Sequence, residues 1–374
     1  MGFTKRKEKC ISMNVIRLLF WMLCLAFLAS CGNKADGFSS NVSSNESADI
    51  STSQVSVTTK TDDVAKNEIN IELSNDELVL SKNGKIIETL PTYINLADEQ
   101  FNLSKVLQVL FFDYTADDIT DIAVLGESIH GEYVLLYNGM LLENESGIKE
   151  DTFGYFGNLS KAQLNEMGCD ITEDGIKRAL LGDNTECIYN SYRELYTQLA
   201  RAYHISNSEY MYDLIYADED EIPELVINKL GYYVYLFTYE NSKARCLMDK
   251  WGYGAMGNHG YSYFPGTGIY YNNNADYAGA IYTESYMSKH ENGEIQTDYW
   301  VQTNYFQDID EDGMPSYEEL NTTFGDVGKI EYHCVFDENM SEDDIKKIVD
   351  NYNKQELVEL GGKYEYETIM LQLQ

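Results

Sequence analysis

The sequence predicts an α+β fold, predominantly antiparallel β, in which two β-rich units carry duplicated strand–acidic loop–strand motifs and are joined by a helical segment. Three observations lead there. Short runs rich in β-branched and aromatic residues, bounded by turn formers, recur along the chain as strands do. Residues 111–124 can be laid over residues 214–227. Residues 156–204 carry apolar side chains at helical spacing. The expected organisation is a leader over residues 1–30, a tether over 31–64 and a first β-rich unit over 65–155. Helices over 156–204 and a second β-rich unit over 205–374, closing on a C-terminal helix, complete it.

Residues 1–17 hold Lys5, Arg6, Lys7, Lys9 and Arg17 against a single acid, Glu8, and residues 18–28 are entirely apolar. That run is well short of the roughly 20 residues a spanning helix needs, and the order of charges and apolar residues is that of a secretory signal. It closes with Leu28-Ala29-Ser30-Cys31, which resembles the lipobox of bacterial lipoproteins. The resemblance implies cleavage before Cys31, a diacylglycerol on its thiol, and a membrane anchor facing the extracellular side. Two acyl chains hold stably where one binds marginally. Residues 32–64 are rich in Ser, Asn, Thr and Asp, without apolar periodicity. Such composition buries too little apolar area to offset the entropy of ordering, and its reach as a coil is about 30 Å.

Residues 1–30 hold five of the 27 basic residues and one of the 62 acids, leaving 22 and 61, a net charge near −39. Nucleic acid is excluded as a partner, because its binding rests on Lys and Arg neutralising phosphate. Four cysteines follow Cys31: Cys169, Cys187, Cys246 and Cys334. None has metal-ligand spacing. The alternatives are disulfides, with Cys169–Cys187 the first pair to expect among three pairings, or four small buried thiols.

In the overlay of residues 111–124 on 214–227, Asp117 falls on Asp220, Asp118 on Glu221, Ile119 on Ile222 and Asp121 on Glu224. Gly131 and Gly231 then open a third strand in each copy. The acidic loops resemble the Asp-x-Asp-x-Asp-Gly-x-Pro-Asp/Glu-Leu loop of FG-GAP and VCBS repeats, in which carboxylates at positions 1, 3, 5 and 9 surround Ca²⁺. The resemblance implies a calcium set of Asp113, Asp117 and Asp121, with Thr115 in the third place, and a second of Asp218, Asp220 and Glu224. Both copies replace the turn glycine, by Asp118 and Glu221, at a place that usually needs φ > 0. The alternative is a loop whose side chains cap its own backbone.

A third acidic run, Asp308, Asp310, Asp312 and Gly313 with Glu319, has the spacing of an EF-hand loop. No amphipathic helix precedes it, and Ser316 with Glu319 spells a capping box. The sequence therefore favours a turn followed by a helix from Tyr317. A second capping box, Ser160 and Gln163, starts the helical segment. In that segment Ile188, Tyr192, Leu195, Tyr196, Leu199 and Tyr203 form a core stripe. Ser341 caps a late helix with Ile345, Ile348, Val349 and Tyr352 inward. The glycine- and aromatic-rich residues 251–271 suit either half-buried strands or a face for glycan or protein.

No catalytic residue is assigned, since HExxH, G-x-S-x-G and phosphate-binding glycine loops are missing. His333 and Cys334 are strand neighbours that point to opposite faces. The expected role is a cell-surface, lipid-anchored binding or interaction protein, stabilised by Ca²⁺, reaching the membrane through the lipid on Cys31 and contacting surface glycan or protein. The alternatives are an extracellular hydrolase of wall glycan or peptide, with Glu224, His259 and the aromatic stretch as its foothold, and a substrate-binding lipoprotein of an importer.

Overall fold

Alternating apolar and polar residues, broken every few positions by Gly, Asn or Asp, make a chain of hairpins whose strands pair with their sequence neighbours. The computed structural model describes residues 54–56, 69–82, 85–96, 99–143, 149–184 and 187–374. The leader, Cys31 and most of the tether lie outside them. All described residues belong to one compact unit, residues 52–374.

Every ladder is antiparallel. Strands β1 (Gln54–Ser56), β2 (Ile69–Ser74), β3 (Glu77–Lys82) and β4 (Lys85–Pro91) form a first sheet, and β5 (Tyr93–Leu96) pairs with β6 (Glu99–Asn102). A second sheet runs β7 (Lys105–Phe112), β8 (Asp121–Ser128), β9 (Gly131–Glu143) and β10 (Lys149–Ser160). Helices α1 (Lys161–Glu166), α2 (Glu173–Leu181) and α3 (Tyr192–Ser206) follow. A third sheet is β11 (Met211–Ile215), β12 (Glu224–Lys229), β13 (Tyr233–Glu240) and β14 (Lys243–Gly252). The last sheet comprises β15 (Asn258–Phe264), β16 (Ile269–Asp276), β17 (Ile281–Lys289), β18 (Ile295–Asn304), β19 (Ile330–Cys334) and β20 (Val358–Glu359), in the order β19-β18-β17-β16-β15-β20. Helix α4 (Tyr317–Thr323) lies between β18 and β19, α5 (Glu342–Tyr352) between β19 and β20, and α6 (Tyr366–Gln372) closes the chain.

The layers follow from which face each side chain takes. One face of the second sheet, with Val109, Ile122, Val124 and Leu135, packs on Leu78, Leu80 and Leu90 of the first. Its other face, with Ala123, Leu125, Val134 and Leu136, packs on α1 to α3. Helix α3 then turns Leu195, Tyr196, Leu199 and Tyr203 to the third sheet. The far face of that sheet meets Tyr263, Tyr270 and Met287 of the last sheet, whose outer face holds Ile345 and Val349 of α5.

Several expectations meet corrections here. Gln54–Ser56, inside the tether, pairs with β2; Val55 between polar neighbours has the alternation of a strand. Residues 156–160 continue β10, and the helical segment begins at Lys161 behind the Ser160–Gln163 capping box. Ile188 precedes α3 and is exposed. All four cysteines are free thiols: Cys169 is buried beneath the helices, whereas the Cys187 thiol donates to the Asp113 carbonyl at 3.5 Å. Much of the tyrosine load is core. Thirteen tyrosines are buried, and two of their hydroxyls cross between layers, Tyr137 donating to the Pro91 carbonyl and Tyr196 to the Pro223 carbonyl, each at 2.7 Å.

Candidate metal centre

Three acidic loops sit at three places in these layers, and each is organised around one buried closing carboxylate. The first loop joins β7 to β8. Asp121, fully buried, accepts the backbone N–H groups of Tyr114 at 2.8 Å and Thr115 at 2.9 Å through Oδ2, and that of Gly139 at 2.8 Å through Oδ1. The Thr115 hydroxyl adds a bond at 3.1 Å. Asp113 accepts from the N–H of Asp118 at 2.8 Å, and Asp117 from that of Ile119 at 3.0 Å.

The second loop joins β11 to β12. Glu224, also buried, accepts the N–H of Ala217 at 3.0 Å. Asp218 accepts from Asp220, and Asp220 from Ile222 at 2.7 Å. Tyr216, standing where a first acid is expected, is exposed.

The third loop joins β18 to α4. Glu319, 2% exposed, accepts the N–H of Ile309 at 2.6 Å and of Ser316 at 2.8 Å. Asp308 accepts from Gly313 at 2.9 Å, and Asp312 from Met314 at 2.8 Å. Both halves of the Ser316–Glu319 capping box are present at the start of α4.

The first and third loops share a backbone. Residues four and six places into each take positive φ: Ala116 at 59° and Asp118 at 71°, Glu311 at 60° and Gly313 at 79°. Asp118 thus adopts the conformation that glycine usually supplies. Asp is among the few residues that enter it at modest cost. In the second loop Glu221 does not enter that region, as its longer side chain leads one to expect.

Burial and like charge set the electrostatics. Burial first, then the neighbouring Asp113, pushes Asp117 up to about 7. Burial likewise raises Asp113 and holds Asp121 well above the carboxylate range. Glu224 is pushed up to about 7 by burial, with Asp218 and Asp220 adding to it. Glu319 moves the opposite way, down to about 2, because the Ser316 side chain and backbone and the Ile309 N–H all bond to its charged form.

These placements divide the acids by task. Among the described residues, the one group of three or more His, Cys, Asp or Glu with ligand atoms within 4.8 Å of one another is Asp308, Asp310 and Asp312. Oxygens bound to one Ca²⁺ at 2.3–2.6 Å lie within about 5 Å of each other, so this spacing fits a shared ion. Asp308 Oδ1 is moreover buried without a hydrogen-bond partner. Neither Asp113, Asp117 and Asp121 nor Asp218, Asp220 and Glu224 forms such a group. The signal that locates the triad in the sequence is Asp at three alternate positions followed by Gly313. In the first two loops Thr115 and Tyr216 break that alternation.

The loops also clasp the layers. Ala116 accepts from the N–H of Ala244 on β14 at 2.9 Å, and Lys243 pairs with Asp118. Tyr216 and Ala217 accept from Gly266 at 3.1 Å and Gly268 at 2.7 Å, at the β15–β16 turn. Gln198 on α3 donates to the Tyr114 carbonyl at 3.0 Å. The remaining site expectations fall in different settings. Glu224 is buried in its loop, whereas His259 is exposed and bonded to Asn273 at 2.7 Å. His333 stacks on Trp300 at 3.7 Å while Cys334 joins the core. The chain matches no family model and no curated protein.

Proposed function

We propose that this chain is a lipid-anchored binding protein of the outer cell surface, built on duplicated strand–acidic loop–strand units and braced by calcium. The observation that carries the anchoring is the basic then apolar leader ending at Leu28-Ala29-Ser30-Cys31. The role as a binder is supported by how the perturbed acids are used. Carboxylates pushed far from their ordinary range are the first candidates for catalysis. Here Asp117, Asp121 and Glu224 accept the N–H groups of their own loops.

Duplication is supported by a shared construction: in each β-rich unit the N–H of the loop's second residue reaches the acid that opens the next strand. Calcium belongs to the third loop in this reading, since Asp308, Asp310 and Asp312 converge there while Asp121 is saturated by backbone donors. Partners are surface glycan or protein.

The test is metabolic labelling with a palmitate analogue, followed by glycan and protein arrays probed with the full chain in detergent. Label and membrane attachment that vanish in Cys31→Ser, together with a saturable array partner, are expected. An unlabelled chain, or turnover of cell-wall glycan or peptide, contradicts the proposal.

A further inference from the structure

The acids of this chain outnumber its bases by more than two to one, so a basic side chain without an acidic partner stands out. Of the four arginines among the described residues, only Arg245 is ion-paired, with Glu240 at 3.7 Å. Arg178, Arg193 and Arg201 all lie on the helical layer and line the two clefts beside α3. Arg201 lines both. Among the described residues half-buried Arg201 makes no side-chain hydrogen bond and no ion pair, and its guanidinium nitrogens are open to solvent.

The larger cleft, about 990 Å³, opens between α1, α2, the end of α3 and Tyr366. Arg178 faces it with a single bond, from Nη2 to the Gly168 carbonyl at 3.1 Å. His204 stacks flat on Tyr366, with ring centres 4.0 Å apart, and its Nδ1 is buried without a partner. Neither acid lining this cleft bonds an arginine. Glu209 pairs with Lys229 at 3.2 Å, and Glu166 is exposed and bonds neither arginine. The Arg201 guanidinium lies over Gly182, where a Cβ would stand 3.0 Å from Nη2. Gly182 itself has φ +64°.

Guanidinium N–H groups without a protein acceptor are left to water, which an oxyanion can replace. A guanidinium fork is matched by the paired oxygens of a carboxylate or phosphate. We infer that this cleft binds a small oxyanion, carboxylate or phosphate, held by Arg201 and Arg178. This site is independent of the anchoring and calcium readings.

The experiment is calorimetric titration of the full chain in detergent with sodium phosphate and, separately, sodium succinate, at constant ionic strength against sodium chloride. Saturable binding of at least one is expected, weakened about tenfold or more in both Arg201→Gln and Arg178→Gln and unchanged in Arg193→Gln. Phosphate alone, succinate alone or both identifies the source of the oxyanion. Melting curves establish that each variant is folded; should one arginine variant unfold, the other decides. No binding beyond the chloride control, or binding that survives both substitutions, overturns the inference.

Discussion

The loop closed by Asp121 and the loop closed by Glu319 follow one backbone path and arrange their acids differently. Both take positive φ at the fourth and sixth residues, and both send the N–H of the second residue to a closing carboxylate. They differ in what occupies the third place and in what surrounds them. Thr115 in the first loop turns its hydroxyl to Asp121, and the acids around it are pushed toward their neutral forms by burial. Asp310 in the third loop completes an outward triad with Asp308 and Asp312, two of whose members are exposed. On the proposed reading, the shared turn is a clasp between sheets in one setting and a cation cradle in the other. The side chain at one position and the depth of burial decide which.

The largest effect separating the two should come from removing the closing acids. Asp121→Ala leaves the buried N–H groups of Tyr114, Thr115 and Gly139 without acceptors. At about 1–3 kcal/mol for each orphaned group, a loss of about 3 kcal/mol or more is expected in urea unfolding. Glu319→Ala should cost visibly less, because its donors lie at the rim. Equal losses would break the distinction between clasp and cradle.

The glycines sharpen it further. A Cβ on Gly139 would run into the Thr120 carbonyl oxygen and come within 2.6 Å of Ile119 Cγ2. Gly139→Ala should therefore destabilise by about 1–3 kcal/mol through overpacking. Gly313 has open space but φ +79°. Gly313→Ala should cost about 1 kcal/mol through backbone strain alone, with Gly313→Asn tolerated better. Chemical denaturation of the three variants checks the order.

A subtler contrast is in pH. Asp117 and Glu224 have folded values raised to about 7. Their contribution is therefore complete below their unfolded values near 4 and lost as pH rises through 7. Glu319 is lowered to about 2, so its contribution is complete above its unfolded value and lost as pH falls from about 4.3 toward 2. Exchange protection, corrected for intrinsic rates, should thus fall between pH 5 and 8 at the amides of Ala217 and Ile119. At the Ile309 amide it should fall only below about pH 4.5. Parallel behaviour at all three amides would contradict the opposed shifts.

Much of this was legible in the residues. The overlay aligned Asp121 with Glu224, and both became closing acids at the first position of a strand. The Ser316–Glu319 pair foretold the start of α4, and Ser341 that of α5. Local hydrogen bonding decides such features, and local sequence carries it. Convergence of carboxylates depends on which residue stands at each alternate place as well as on spacing. Asp113 and Asp117 have Thr115 between them, whereas the run read as a turn and a cap has Asp at all three alternate places and gathers three carboxylates. The unpaired arginines around α3 were invisible for a related reason, since pairing depends on which layers meet.

The most direct test is a calcium titration of the full chain in detergent, followed by heat of binding and melting temperature, in parallel with Asp310→Ala and Asp117→Ala. Saturable binding that raises the melting temperature, abolished in Asp310→Ala and retained in Asp117→Ala, is the predicted result. No binding at millimolar calcium, or binding lost in Asp117→Ala and kept in Asp310→Ala, would contradict the assignment of clasp and cradle.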